Sequence, residues 1–353
     1  MHRGSLRRFP LAALAFAAAI WGLLQLPAAA YSSRSTASPA ARVTVAFVGD
    51  IALAGPAPGS LFAGARGQLR RADLAIGNLE GTLSTGGTPK CKKSKPSCFA
   101  FQSPPQSAAI LRAAGFDDLN VANNHALDYG ASGQQQTLRA LGRHGLRWSG
   151  RPNQVRILRV HGVRVAILGF APYPWAQSLL DIPAAQNLVR RAATHADVVV
   201  AVLHAGAEGV AHQHVPQGTE YYLGENRGNE RLFAHALVTA GANLVVASGP
   251  HVLRGLQLFN DTPIAYSVGN FASAGGALST DGILGEGGII LVTLGSSGEL
   301  VSGKLLPVRL VGGAPHRIFG KSDVLRRLNA LSRKDFGASA LLVGVNDDAL
   351  RVG

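Results

Sequence analysis

Side chains that can bind a metal ion or carry a proton follow one hydrophobic segment after another in this chain. In chain order they are Asp50, Asn78 with Glu80, Asn124 with His125, His204, and His251. Aspartate, glutamate and asparagine offer oxygen ligands, and histidine offers a ring nitrogen for a metal or a proton. Each of them alone is as readily explained as a turn or helix-capping residue. Five in succession are not, because the carboxyl ends of parallel strands meet at one edge of a sheet.

The convergence of these groups predicts a metal site. A binuclear centre takes oxygen and nitrogen ligands from separate elements, and one oxygen bridges two ions about 3.5–4 Å apart. Asp, Asn, Glu and His are the ligand types that Mn, Fe, Zn and Mg centres use. We therefore expect a divalent cofactor, bound as one ion or as two, at the carboxyl edge of a sheet.

The order of the hydrophobic segments predicts an α/β fold. Strands are expected over 43–48, 73–76, 119–122, 197–203 and 243–247. Helices are expected over about 60–72, 105–115, 134–144, 182–195, 229–240 and 322–331. The segment 197–203 is rich in valine, which is typical of a strand that is buried on both faces.

Hairpin signals indicate that the sheets are mixed and not purely parallel. His161-Gly162 and Asn260-Asp261 each separate two apolar runs, as the two-residue turns of hairpins do. Segments 288–294 and 303–310 predict a second, antiparallel sheet portion, and the chain end predicts one more hairpin. Long loops are expected over 81–103 and 209–228.

The first thirty residues differ in character from the rest of the chain. Arg3, Arg7 and Arg8 precede an apolar run over 11–30 that ends in three alanines. This pattern predicts a signal peptide or an uncleaved membrane anchor, and either one places the body outside the cytoplasm, secreted or anchored to the cell membrane. The predicted organisation is an N-terminal segment (1–30), a flexible spacer (31–41), one domain (42–320) and a C-terminal helix and hairpin extension of that domain (321–353).

Cysteine content and charge agree with export. The two cysteines, Cys91 and Cys98, predict a short disulfide loop in an oxidising compartment. The formal net charge is +14, of which the three arginines of the N-terminal segment contribute three and the body +11. A basic exported protein is attracted to anionic partners such as wall polymers, capsule or lipid headgroups. The chain has no helix-turn-helix, aromatic stacking or zinc-finger pattern, so nucleic acid is not an expected partner.

Six motifs follow one another in a specific order. They are Val48-Gly49-Asp50, Gly77-Asn78-Leu79-Glu80, Ala122-Asn123-Asn124-His125-Ala126-Leu127-Asp128-Tyr129-Gly130, His204-Ala205-Gly206-Ala207-Glu208, Pro250-His251-Val252-Leu253 and Tyr266-Ser267-Val268-Gly269-Asn270-Phe271. Together they resemble the motifs of the capsule-synthesis protein CapA family, the poly-γ-glutamate synthesis proteins, which are related to calcineurin-like metallophosphoesterases. The resemblance runs from about Val43 to Leu310.

The resemblance implies a four-layer α/β/β/α sandwich of mixed sheets, as in metallophosphoesterases, and a role for each motif. The implied metal ligands are Asp50, Asn78, Glu80, Asn124, His204 and His251. The implied catalytic residues are His125, as general acid, and Asp128. The implied supporting residues are Asn123, Glu208 and Asn270. Glu208 is expected to orient His204 and Asp128 to support His125, unless both cap helices.

Three positions depart from the phosphoesterase pattern. Ile51-Ala52 stand where a ligand histidine follows the first aspartate, Gly249 stands where a late His-x-His motif has its first histidine, and Ala205 replaces a tryptophan. Each lost ligand removes a coordination bond, and even the loss of a residue that only supports a ligand costs about 10–100-fold in affinity or activity. His212 and His214 are either replacements or exposed loop histidines.

Two functions remain as hypotheses. The first is an extracytoplasmic metal-dependent hydrolase or transferase of capsule or poly-γ-glutamate biosynthesis, in which His125 protonates the leaving group. Its substrate would be a phosphoester or the γ-linked amide of the polymer. The alternative is a non-catalytic assembly or export factor that holds an anionic polymer by its positive charge and has a degenerate metal site. Membrane-bound synthase subunits are the expected protein partners.

Overall fold

The computed structural model describes residues 41–91, 98–320 and 322–353. The predicted N-terminal segment and nearly all of the predicted spacer lie outside the described residues. Within the described residues, no helix has the length and apolar character needed to cross a membrane.

Strands and helices alternate over most of the described chain. The strands are β1 (Arg42–Leu53), β2 (Leu74–Glu80), β3 (Thr82–Leu83), β4 (Gln102–Ser103), β5 (Asp118–Asn120), β6 (Arg147–Ser149), β7 (Arg156–Val160), β8 (Val163–Phe170), β9 (Val198–His204), β10 (Glu220–Tyr222), β11 (Glu225–Gly228), β12 (Leu244–Ser248), β13 (Leu256–Phe259), β14 (Thr262–Ala265), β15 (Asn270–Ala274), β16 (Glu286–Gly295), β17 (Leu300–Val311), β18 (Ala314–Arg317), β19 (Leu341–Val343) and β20 (Leu350–Val352). The α-helices are α1 (Arg66–Leu69), α2 (Ser107–Ala114), α3 (Gly130–Arg143), α4 (Ile182–Ala193), α5 (Glu230–Thr239) and α6 (Asp323–Phe336).

Two mixed sheets form the centre of the fold. The first has the order β18-β17-β16-β1-β2-β5-β6, and β15 also pairs with β1. The second has the order β13-β14-β12-β9-β8-β7. β1, β2, β5 and β6 run parallel, as do β8, β9, β12 and β14, and antiparallel strands flank both sets.

The side chains of β1 and β9 show how the layers are held together. Because side chains alternate along a strand, β1 contributes to two cores. Val45 and Phe47 pack between the sheets with Val200 of β9, while Ala46 faces a core that includes residues of α2 and α3. The outer face of the second sheet packs against α4 and α5. The predicted α/β/β/α sandwich is therefore confirmed.

Both predicted two-residue turns are present. His161 and Gly162 have φ angles of 49° and 86°, and Asn260 and Asp261 have φ angles of 47° and 60°. Two successive left-handed residues are what a type I′ hairpin turn requires, and its twist matches that of the strands it joins. The predicted terminal hairpin is β19–β20.

Several elements differ from the sequence expectation. Only α1 remains of the predicted helix over 60–72. β16 and β17 do not begin a second sheet, because β16 pairs with β1 and extends the first one. The predicted loop over 209–228 contains the β10–β11 hairpin, and the loop over 81–103 contains β3 and β4. Hydrophobic periodicity identifies strands but does not determine their partners.

The predicted disulfide between Cys91 and Cys98 is present, with the two Cα atoms 5.5 Å apart.

Candidate functional site

Asp50 lies at an irregularity inside β1 and not beyond its end. The register of β1 shifts next to Asp50 on both of its parallel neighbours, between Val48 and Asp50 and between Asp50 and Ile51. Gly49 permits the close approach of Gly269, since a Cβ at position 49 would lie 1.8 Å from the Gly269 carbonyl oxygen. A bulge re-aims the side chain of a strand, and the Asp50 carboxylate lies fully buried among polar groups.

Asn78 contacts Asp50 through its amide nitrogen. Nδ2 donates to Asp50 Oδ1 at 2.8 Å and lies 3.2 Å from His204 Nδ1. Oδ1 accepts from Nδ2 of Asn120 at 2.9 Å and from Nδ2 of Asn123 at 3.1 Å. These donors fix the amide orientation, because turning it would bring NH₂ groups together. Asn78 thus presents a donor to Asp50, and the predicted role as an oxygen ligand would require the amide to turn.

Glu80 is a fully buried carboxylate two residues further along β2. Neither of its oxygens has a hydrogen-bond partner within the described residues, although Oε1 lies 3.5 Å from His204 Nδ1. Ligand atoms of Asp50, Glu80 and His251 all lie within 4.8 Å of one another. A buried carboxylate without donors is costly unless a cation or a proton satisfies it. We call these three residues the candidate metal centre, and they fit a divalent ion.

His251 reaches Asp50 from the segment after β12, with a left-handed φ of 59°. Its Nδ1 lies 3.0 Å from Asp50 Oδ2 and 2.8 Å from Asn270 Oδ1. The backbone N–H of Gly249 donates to the same Asp50 oxygen at 3.2 Å. Gly249 has a φ of 115°, and a Cβ there would lie 2.9 Å from the Ala205 carbonyl oxygen. A histidine at position 249 would be strained, and the backbone N–H occupies the position beside Asp50.

A buried arginine that was not predicted from the sequence completes the group. Arg227 of β11 is 1% exposed, and its Nη1 donates to Glu208 Oε1 at 2.7 Å. Its Nη2 lies 3.4 Å from His204 Nε2. Glu208 Oε2 lies 3.6 Å from His251 Nε2, so Glu208 links Arg227 to His251 instead of orienting His204. No sequence signal identified Arg227, because its segment has no regular hydrophobic period and the chain contains 34 lysines and arginines.

His125 and Asp128 form a pair on the other side of Asn123. His125 Nδ1 lies 2.8 Å from Asp128 Oδ2, which leaves Nε2 available for proton transfer. Asp128 is buried, forms an ion pair with Lys90 Nζ at 2.7 Å, and accepts a hydrogen bond from the Phe101 N–H at 2.6 Å. The Phe101 ring stacks on the imidazole with centroids 4.4 Å apart. Asn123 Oδ1 accepts from the His125 N–H at 3.0 Å and so joins this pair to the group around Asp50.

The disulfide loop lies between two of the contacts that hold this pair. Lys90 directly precedes Cys91, and Phe101 follows Cys98 by three residues. Lys90 Nζ also donates to the Asn124 carbonyl oxygen at 3.0 Å. The side-chain Oδ1 of Asn124, predicted to bind a second metal ion, is buried and has no hydrogen-bond partner in the described part of the chain.

Burial and mutual charge shift the proton affinities of the site. Burial and the Asp50 charge raise the pKa of Glu80 well above its ordinary value. Burial lowers the pKa of His204 strongly and also lowers that of His125. Burial opposes a charge on His251, but the charge of Glu80 and the contact with Asp50 raise its pKa to about 10. Burial likewise opposes ionisation of Asp50, yet His251 holds the pKa of Asp50 below its ordinary value.

The two loop histidines considered as replacement ligands lie elsewhere. His214 pairs with Asp335 at 2.7 Å and is half-exposed. His212 packs against Tyr222, with ring centroids 6.4 Å apart. Within the described residues, neither is part of the candidate metal centre.

Comparison with protein families gives a match over the part of the chain that includes Asp50, Glu80 and His251. The model of the bacterial capsule synthesis protein PGA_cap family matches residues 44–274, which include every strand that carries the candidate metal centre. The chain belongs to this family. Its PGA_cap relatives include the PGA biosynthesis protein CapA of Bacillus subtilis, 29% identical over 223 residues that cover 57% of this chain and 53% of the relative. The capsule biosynthesis protein CapA of Bacillus anthracis is 26% identical over 304 residues, which cover 80% of this chain and 69% of the relative.

This PGA_cap chain therefore spans about half the length of the Bacillus subtilis relative. Among solved structures, the 5′-nucleotidase precursor of Thermus thermophilus aligns with a TM-score of 0.44 at 12% identity, over 78% of this chain and 56% of that one.

Proposed function

We propose that this protein is an extracytoplasmic CapA-like factor of capsule or poly-γ-glutamate biosynthesis that hydrolyses or transfers an anionic polymer at a cation-dependent site. The observation that carries the proposal is Glu80, a buried carboxylate without a hydrogen-bond partner among the described residues, next to Asp50 and His251. Membership of the PGA_cap family supports the class of polymer. The substrate bond is a phosphoester or the γ-linked amide of poly-γ-glutamate.

The chain supplies the acid–base part of the chemistry. A divalent metal cofactor (Mn, Fe, Zn or Mg) held by Asp50, Glu80 and His251 would supply the Lewis-acid charge of the site. His125 acts as general acid in its imidazolium form: Nδ1–H donates to Asp128 Oδ2, and the Nε2 proton passes to the leaving group, which leaves a neutral imidazole. Water is limited at this pair, because Asp128 is fully buried and His125 is nearly so.

Metal content and turnover of the full chain test this function. We expect the protein to bind Mn²⁺ on loading, and to hydrolyse a generic phosphodiester or shorten poly-γ-glutamate. Glu80→Gln should weaken metal binding about 10–100-fold. His125→Gln should keep the metal and lower turnover about 10²–10⁴-fold. His214→Gln, at an exposed histidine paired with Asp335, is the matched control and should change neither.

A non-catalytic polymer-binding factor is the second candidate, and specific residues favour it. Ala52 and Gly249 offer no side-chain ligand, and Asn78 presents an NH₂ group to Asp50. The positive charge of the body suits an anionic polymer. Poly-γ-glutamate retained by the metal-free protein and released by salt, with neither polymer shortening nor phosphodiester turnover after Mn²⁺ is added, would establish this function and exclude the enzyme.

The proposal includes a place outside the cytoplasm, reached through residues 1–30, near membrane-bound synthase subunits. N-terminal sequencing of the protein recovered from cell membranes and from medium distinguishes a cleaved signal peptide from a retained anchor. Recovery only from the cytoplasm with an intact N-terminus would contradict export.

A further inference from the structure

Arg227 belongs to a closed circuit of contacts around the candidate metal centre. Its Nη1 reaches Glu208 Oε1 at 2.7 Å, and Glu208 Oε2 lies 3.6 Å from His251 Nε2. His251 Nδ1 lies 3.0 Å from Asp50 Oδ2, and Asp50 Oδ1 lies 3.9 Å from His204 Nδ1. His204 Nε2 then faces Arg227 Nη2 at 3.4 Å, which closes the circuit. The guanidinium is therefore part of the site and not of its surroundings.

The charge on Arg227 is permanent. A guanidinium remains protonated at any pH at which proteins are folded, and it cannot release its charge when a metal ion approaches. The side chain is 1% exposed, so water screens its charge poorly. Glu208 is its close partner, and Glu225, which is half-exposed, lies 3.6 Å away at the rim.

Formal charges at the site balance with one divalent ion. The carboxylates of Asp50, Glu80 and Glu208 carry three negative charges, and Arg227 offsets one of them. A single divalent ion at the candidate metal centre offsets the other two, because a histidine that binds a metal ion gives up its extra proton and is neutral. A second ion would leave two uncompensated positive charges in a buried group, which is strongly unfavourable.

The available ligand atoms also favour a single ion. Ala52 and Gly249 have no ligand atom where the binuclear pattern has histidines, and the Asn78 oxygen is occupied by two amide donors. We propose that Arg227 takes the place of the second cation, so that this protein binds one divalent ion together with a built-in guanidinium. The inference rests on the proposed function in taking Asp50, Glu80 and His251 as the cation site.

The stoichiometry of Mn²⁺ binding to the full chain tests the inference. Equilibrium dialysis should give one Mn²⁺ per wild-type chain, and electron paramagnetic resonance should show an isolated ion. Arg227→Met removes the charge but keeps an apolar stem, and it should admit a second Mn²⁺ or tighten the first at least about tenfold. Arg227→Lys keeps the charge and is the matched control, with one Mn²⁺ and an affinity near that of the wild type.

Each outcome separates this inference from the proposed function. Two magnetically coupled Mn²⁺ ions in the wild type would overturn the inference and leave the cation-dependent function standing. No ion in the wild type but one in Arg227→Met would support the inference and remove the function. No ion in either protein would remove both. Unchanged or weaker Mn²⁺ binding in a folded Arg227→Met would overturn the inference. If that variant does not fold, the number of Mn²⁺ ions bound by the wild type decides whether the inference stands.

Discussion

Replacing Glu80 by glutamine should change stability in opposite ways with and without a divalent ion. In the metal-free protein, Glu80 is a buried carboxylate without a hydrogen-bond donor among the described residues, close to the negative charge of Asp50. Glutamine has nearly the same shape and cannot ionise, so it removes the cost of placing a negative charge in a buried position next to Asp50. In the metal-bound protein the same substitution removes a ligand, so we expect it to lower the stability that the ion confers.

The magnitudes follow from these two effects. At pH 7, a buried carboxyl whose pKa is raised by folding lowers stability by about 1–3 kcal/mol, so Glu80→Gln should raise the free energy of unfolding of the metal-free protein by about that amount. An ion present at a hundred times its Kd stabilises the wild type by about 2.7 kcal/mol. If the lost ligand raises the Kd about 100-fold, the ion then contributes only about 0.4 kcal/mol. The Mn²⁺-induced gain should therefore fall by about 2 kcal/mol.

Thermal unfolding in EDTA and in Mn²⁺ measures both quantities, at about 2 °C for each kcal/mol in a chain of this size. Glu220→Gln is the matched control. It breaks the 2.7 Å ion pair with buried Arg254, outside the candidate metal centre, and should lower the Tm in both conditions while the Mn²⁺-induced gain remains. If Glu80→Gln melts below the wild type in EDTA and keeps the full Mn²⁺-induced gain, Glu80 has a structural role and the reasoning is refuted.

Three further substitutions test other parts of the site and the fold. Lys90→Met should lower phosphodiester turnover about tenfold at constant KM, because Asp128 loses its 2.7 Å ion pair. Steady-state kinetics measures kcat and KM, and Lys90→Arg, which keeps the charge, is the control. Asn78→Asp should destabilise the metal-free protein by about 2–3 kcal/mol, since a carboxylate then faces Asp50, and it should tighten Mn²⁺ binding. The Tm in EDTA measures the first effect, and the rise in Tm on adding Mn²⁺ measures the second. Burial raises the pKa of Asp118 to about 7, so this carboxyl lowers the stability of the wild type progressively as the pH rises from 3.8 to about 7. In urea unfolding, Asp118→Asn should therefore gain up to about 4 kcal/mol at pH 8 and nothing near pH 4.

Each of these substitutions has an outcome that contradicts its premise. A tenfold rise in KM with constant kcat in Lys90→Met would show that the lysine contacts substrate instead of supporting Asp128. A more stable metal-free Asn78→Asp would mean that the amide does not face Asp50 as described. An Asp118→Asn stability difference that is the same at pH 4 and pH 8 would mean that this carboxyl does not titrate with a raised pKa.

The layers of the fold were predictable because local signals agreed with the tertiary structure. The valine-rich segment of β9 could only be a strand buried on both faces, and His161-Gly162 fixed one hairpin. Pairing between distant strands was not predictable in this way. β1 continues past Asp50 because β15 pairs beside it, more than 200 residues away along the chain, and no local pattern reports that contact.

In the candidate site, too, some residues were predictable from local sequence and others depended on distant contacts. Asp50, Glu80 and His251 were identifiable because each follows a hydrophobic run, and the strand order brings them together. The orientation of the Asn78 amide depends on Asn120, whose side chain belongs to another strand, so residue type alone suggested a ligand where the structure has a donor. Arg227 lies in a hairpin that lacks a hydrophobic face, and its importance is evident only from its burial.

The covalent link between Cys91 and Cys98 has a consequence for when the molecule becomes competent. The residues flanking it, Lys90 and Phe101, both act on the carboxylate that sets the ring of His125. While the thiols are reduced, only peptide joins these flanks, and thiol oxidation shortens the connection between them. We expect a chain with reduced thiols to hold the His125 imidazole less firmly than a chain in which the disulfide has formed, so that proton transfer at this ring would become efficient only after oxidation.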